Sequence, residues 1–222
     1  MATLTPLPQA TDWTAADLVE SFGPIPLWRI CQDPAPGTAT EQDVIDIHGQ
    51  EKRLFELVDG VLVEKTVGYQ ESYLAVLIAR LLGNFVAEHG LGIVLGADGM
   101  TRLAPGLIRI PDVSFIPWER HPDRSVPALP FVPFAPDLAV EVLSPSNTAK
   151  EMDRKLKDYF ASGVRLVWYV DPVQRTAEVL TAVDRSVVLR EGDALDGGEV
   201  LPGFVLPLAV LFADLEAAPG GR

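Results

Sequence analysis

The sequence predicts an α/β (α+β) fold, and three stretches carry that prediction. The first runs Pro136-Asp-Leu-Ala-Val-Glu141-Val-Leu-Ser144-Pro-Ser-Asn-Thr148 and on through Tyr159. Leu138 to Leu143 is apolar except at Glu141, the signature of a strand buried on both faces. Thr148-Ala-Lys-Glu151 then has the form of a capping box opening a helix, and Arg165-Leu-Val-Trp-Tyr-Val170 reads as a second buried strand. The second stretch is a hairpin, Leu54 to Lys65, turned by Asp59-Gly60. The third, Gln70 to Glu88, repeats apolar residues with helical period.

Size and charge narrow the function. With 222 residues, 48% of them hydrophobic, the chain is long enough for one domain with a real core. No apolar run reaches the length of a membrane span, and the start lacks a signal peptide's basic and apolar regions, so no membrane partner and a cytoplasmic location are expected. Cys31, the single cysteine, excludes an internal disulfide and a cysteine-based zinc site and agrees with a reducing compartment. The net charge of −13 argues against tight nonspecific binding to nucleic acid, because that affinity comes from Lys and Arg neutralising phosphates.

Along the chain, residues 1–50 are poorly patterned and are expected to pack on the domain as an extension. Thr14-Ala-Ala-Asp17 can cap a short helix ended by Gly23-Pro24, and Cys31 to Thr40 reads as loop. In the hairpin, Glu56 and Glu64 are expected on the solvent face. In the helix after it, Tyr73, Leu74, Leu77, Ile78, Leu81, Leu82 and Phe85 form the apolar stripe, with Gly90 as C-cap and Glu71 in the first turn, where the helix dipole favours an acid. Leu91 to Leu95, Met100 to Leu103 and Leu107 to Ile116 read as strands. Within the last of these, Asp112 shares a face with Ser114 and Ile116.

Trp118 to Pro136, with prolines at 122, 127, 130, 133 and 136, reads as a stiff loop whose His121 is solvated. Thr176 to Thr181 is a further strand, Gly192 to Gly198 a polar loop, and Leu201 to Phe212 an apolar segment docking on the core. The domain is therefore expected over 51–213 and a disordered tail over 214–222.

The chemistry concentrates in three residues. Glu141 lies in an apolar strand, where an ionised carboxylate costs several kcal/mol unless a cation or hydrogen-bond donors meet it. Two roles fit it: a structural ion pair, or a metal ligand. Asp112, after Pro111, either caps a turn or is a second ligand. Two acids on adjacent strand ends suit an oxygen-preferring Mg²⁺ or Mn²⁺ ion. Lys155, four residues before Tyr159 on the crossover helix, can project over the strand's end and serve an attacking water or a developing phosphorane charge.

From residue 50 to 212 the chain resembles the Uma2 family, also called DUF820, of the PD-(D/E)XK nuclease superfamily. The resemblance rests on Phe55-Glu-Leu-Val-Asp-Gly60, Pro111-Asp112-Val-Ser, Glu141-Val-Leu-Ser-Pro-Ser146, Lys155-Leu-Lys-Asp-Tyr159, Gly163-Val164, Trp168-Tyr-Val-Asp-Pro172 and Leu201-Pro-Gly-Phe204. It implies a restriction-endonuclease-like core, a mixed central β-sheet flanked by helices with an added N-terminal hairpin region. It also implies a homodimer and Mg²⁺- or Mn²⁺-dependent cleavage of DNA, bound with low affinity given the acidic charge.

Carried over by position, Asp112 is the motif's first acid and Glu141 its second; both, with the Val142 backbone carbonyl, would hold the metal. The motif's usual lysine falls on Leu143, so Lys155 takes that role, with Lys157 second. Tyr159 matches the tyrosine of the related RecB-like helix, and Glu71 an extra acid from the first core helix. An inactive nuclease-fold binding protein and a metal-dependent hydrolase of RNA or nucleotides are the competing readings.

Overall fold

The computed structural model describes residues 13–121 and 123–215. Helix α1 (Ala15–Phe22) carries the expected capping box between Thr14 and Asp17 and stops at Gly23. Helix α2 (Glu41–Glu51) lies where the sequence shows little pattern. A second capping box, Thr40 with Asp43, starts it, but only Val44 is fully buried, so no broad apolar stripe announces it.

Strands β1 (Phe55–Val58) and β2 (Val61–Glu64) form the expected hairpin. Asp59 and Gly60 both take positive φ, as the two-residue turn matching strand twist demands. A side chain at 60 would also strike the Gly37 carbonyl.

Helix α3 (Tyr69–Glu88) follows, then β3 (Gly92–Leu95), β4 (Thr101–Ala104), β5 (Leu107–Arg109) and β6 (Val113–Pro117). Strand β7 (Leu138–Val142) leads into α4 (Ala149–Ala161) and returns as β8 (Leu166–Asp171). The chain ends in β9 (Thr176–Ala182), β10 (Arg185–Arg190), β11 (Ala194–Asp196), β12 (Val205–Pro207) and α5 (Leu208–Phe212).

Six strands make the central sheet, in the order β10-β9-β8-β7-β6-β3. All neighbours are antiparallel except β7 and β8, the pair joined by the α4 crossover. The sheet is therefore mixed. Leu138, Val140 and Val142 face a core with α3, α5 and the last apolar segment. Ala139, Val167 and Tyr169 face the opposite way, against Met152, Leu156 and Tyr159 of α4. Strand alternation on β7 thus sets Glu141 on the α4 side.

A four-stranded antiparallel sheet, β2-β1-β5-β4, stands beside it. The expected single run from Leu107 to Ile116 is in fact two strands in two sheets, broken at Pro111-Asp112. Pro111 has no N–H to extend a ladder, whereas the Asp112 N–H rejoins one by donating to the Val140 carbonyl at 3.0 Å. Gly192 to Gly198, read as loop, contains β11, whose Leu195 is fully buried and which pairs with β12. Of the expected tail, Asp214 accepts a hydrogen bond from Tyr73 at 2.6 Å and the Leu215 carbonyl accepts one from Arg175; residues 216–222 lie outside those described. Tyr73 itself is exposed rather than part of the helix's buried stripe.

His121 is also corrected. It is buried, packed edge-on against Trp118 and Phe134, because the proline-rich segment folds back over it. No helix among the described residues is long and apolar enough to cross a membrane.

Candidate active site

The site forms where the chain leaves the small sheet for the large one. Val113 pairs with Val140 and Ser114 with Ala139, so Asp112 comes onto the same face of the sheet as Glu141. One cavity of about 20 Å³ is lined by both acids and by Glu71, Lys65, Lys155 and Glu56. That space admits one or two water-sized occupants.

Asp112 is held by two donors. Its Oδ2 accepts the Val142 N–H at 2.7 Å, and its Oδ1 meets the Lys65 ammonium at 2.9 Å. Glu141 is held by two others. Lys155 Nζ donates to Oε1 at 3.1 Å and to Oε2 at 3.2 Å, and the Tyr159 hydroxyl donates to Oε1. Lys155 and Tyr159 reach Glu141 together because they stand four apart on α4, one turn apart on one helix face.

The residue least visible in the sequence is Glu56. It does not face solvent as its alternation suggests. It is 2% exposed, because Lys155 of α4 and Arg109 of β5 close over it on the hairpin face where the α1 segment packs against Val58 and Val63. Its Oε1 forms an ion pair with Lys155 Nζ at 3.0 Å and accepts the Ile110 N–H at 3.1 Å, and its Oε2 accepts from Arg109 at 2.7 Å. Arg109, itself buried, directs two further donors at Asp158. A signal was present: Glu56 and Arg109 are opposite charges inside two otherwise apolar strands, each expensive alone and cheap together. Glu64 is half-buried and pairs with Arg53 on the rim.

Glu151 does not complete the expected capping box. Thr148 accepts the Glu151 N–H, but the Glu151 carboxylate turns to Arg29, with contacts of 2.7 and 3.2 Å. Lys157, offered as the second lysine, points outward and pairs with Asp153, which removes it from the site. Glu71 sits in the first turn of α3 with its carboxylate folded back over Gly68; a Cβ at 68 would lie 2.0 Å from its Oε2. Lys65, the last residue of the expected hairpin, is buried in the site beside Asp112, with no local sequence signal for that role.

The electrostatics divide the acids. Burial pushes the Glu141 carboxyl above its ordinary value, and the Asp112 charge adds to the rise against the pull of Lys155. Burial also opposes ionisation of Glu56, yet Lys155, Arg109 and Lys65 outweigh it and hold the carboxyl at about 2. Lys155 is raised despite its burial, by Glu141 and Glu56. Burial and the Glu141 charge push the Tyr159 phenol well up.

A pH-dependent stability follows for Glu56. Its folded-state value lies below the unfolded 4.5, so the ionised group stabilises the fold above pH 4.5. That contribution is lost as pH falls from there toward 2. Glu56→Gln should cost about 3 kcal/mol at pH 7 and under about 1 kcal/mol near pH 2.5, read by urea unfolding. Equal costs at both pH values would contradict the ion-pair account.

The donor set can be tested against a divalent cation. A carboxylate offers about four lone-pair sites. Asp112 uses two and Glu141 three, so each keeps at least one free. Among the described residues no group of three or more His, Cys, Asp or Glu side chains could hold a metal ion. A cation held by these two acids would take its other ligands from backbone, water or substrate, as the hard, water-retaining ions do.

A family model described as "Putative restriction endonuclease", Uma2, matches residues 42–209. The chain belongs to the Uma2 family. It is also similar to the crystal structure of "a putative nuclease belonging to DUF820" from Anabaena variabilis ATCC 29413, with a TM-score of 0.65 and 16% identity, covering 73% of this chain and 91% of that one. At that identity the likeness shows the shared fold. No curated protein matches the chain.

Proposed function

We propose that the protein is a metal-dependent nuclease that hydrolyses DNA phosphodiester bonds. The observation that carries this reading is the meeting of Asp112 and Glu141, from adjacent strands, at one small cavity whose other walls include two buried lysines. A buried pair of like charges is costly to keep, and the fold keeps it where the chain changes sheets.

Asp112, Glu141 and the Val142 carbonyl would hold one Mg²⁺ or Mn²⁺ ion. Bound there, it would polarise a phosphoryl oxygen and acidify a water. The chain's own groups have separable tasks. The Val142 N–H fixes the Asp112 carboxylate in one orientation. Lys155 and Tyr159 fix Glu141 and are positioning residues, since neither touches a substrate directly in this reading. Glu56 and Arg109 fix Lys155 in turn. Glu71, at the cavity wall, would accept a hydrogen bond from a bound water.

One observation favours a second reading, a nuclease scaffold without catalysis. Lys65 and Lys155 already give each acid of the pair a counter-charge, so the cluster can stand as a structural ion-pair network without a metal. Incubation with supercoiled DNA, linear duplex and RNA, each with Mn²⁺ and with chelator, separates the readings. Cleavage of DNA that stops on chelation is expected. Cleavage of RNA alone would move the substrate, and no cleavage of any of them would leave the scaffold.

A further inference from the structure

The two buried lysines are not equivalent. An ammonium has three N–H donors and no acceptor. Lys155 Nζ has three carboxylate oxygens around it at 3.0, 3.1 and 3.2 Å, hydrogen-bonding both oxygens of Glu141 and forming an ion pair with Glu56, so it is the shared counter-charge of two buried acids. Lys65 makes a 2.9 Å contact to Asp112 Oδ1 and a hydrogen bond to the Ile110 carbonyl. Among the described residues that leaves it one N–H. Its side chain is 5% exposed and lines the same cavity as Asp112 and Glu141. Recruiting Lys155 to a substrate would strip a donor from a buried acid; recruiting Lys65 strips nothing.

We propose that Lys65, from the end of the β1–β2 hairpin, is the catalytic lysine of this site, donating its remaining N–H to a non-bridging oxygen of the bound phosphodiester. The proposal rests on the hydrolase reading above. In the reaction the water oxygen forms a bond to phosphorus and the bond from phosphorus to the leaving sugar oxygen breaks. The water releases one proton to solvent and the leaving oxygen takes one up, so Lys65 ends protonated as it began. Its part is electrostatic: a fixed positive charge beside oxygens on which negative charge grows. Because β2 belongs to the small sheet, the hairpin is then part of the catalytic machinery and not only an added layer.

The test compares wild type, Lys65→Met and Lys65→Arg by three readouts: Mn²⁺ titration without nucleic acid, duplex binding in Ca²⁺, and single-turnover cleavage. In K65M, Mn²⁺ binding should be kept or tightened, since a competing charge leaves Asp112, and duplex binding should stay within about threefold. Cleavage should fall at least about 100-fold, and K65R should recover part of it by restoring charge. Should K65M not fold, Lys65→Gln, which keeps an N–H for Asp112 without the charge, is held to the same losses. Cleavage within threefold of wild type would overturn the proposal. So would loss of Mn²⁺ binding in step with cleavage, which would make Lys65 a prop for Asp112. An inactive wild type would bring down the hydrolase reading and this one with it, whereas an active wild type with an active K65M removes Lys65 alone.

Discussion

Lys155→Met should be the most destabilising single change in the site, costing about 3–5 kcal/mol at pH 7. Methionine nearly matches the lysine stem in length, so the loss is of charge and donors rather than of packing. Two acids lose their shared cation at once: Glu56, left with Arg109 and a backbone N–H, and Glu141, left with Tyr159. Both carboxyls are then pushed upward by burial with less to oppose it. Raised folded-state values mean stability that is present at low pH and lost as pH rises through them, so the deficit of K155M should shrink toward pH 4. Urea unfolding of K155M with and without Glu141→Gln measures the coupling directly. A double variant no more stable than K155M, with a deficit flat in pH, would show that Lys155 is not the counter-charge for Glu141.

The largest loss of function should follow Asp112→Asn. Asparagine keeps the shape, and its side-chain oxygen can still accept the Val142 N–H, so the fold should persist. What goes is the negative charge that a cation needs and that Lys65 now faces. DNA cleavage with Mn²⁺ should drop at least about 1,000-fold, the scale of several kcal/mol of lost charge stabilisation. Measurable turnover near the wild-type rate would place the chemistry elsewhere in the molecule.

Much of this site is legible in the chain because its key stretch is buried on both faces. Glu141 inside Leu138 to Leu143 has no solvent alternative, and a two-residue period sets it opposite Val140 and Val142 without any structure. Lys155 and Tyr159 follow from helical spacing alone. Position 56 fails for the complementary reason. Phe55-Glu-Leu-Val alternates as a half-exposed hairpin does, and its other face is buried by groups distant in sequence, the α1 segment around Leu18 and Phe22 and Lys155 of α4.

Lys65 is harder still, since a lysine after an apolar strand has no local feature that separates a rim charge from a buried one. Helix α2 and strand β11 hide because their stability comes from tertiary contacts rather than from a long periodic stripe. The split of Leu107 to Ile116 between two sheets was written at Pro111, which can end a ladder but does not say where the chain goes next.

Calorimetric titration of Mn²⁺ into wild type and Asp112→Asn tests the central claim most directly. One site should appear in the wild type and weaken in D112N by more than the roughly 10–100-fold seen when a residue that only orients a ligand is lost. Equal binding in both proteins would put the metal away from Asp112, and no binding in the wild type would contradict a metal-dependent site.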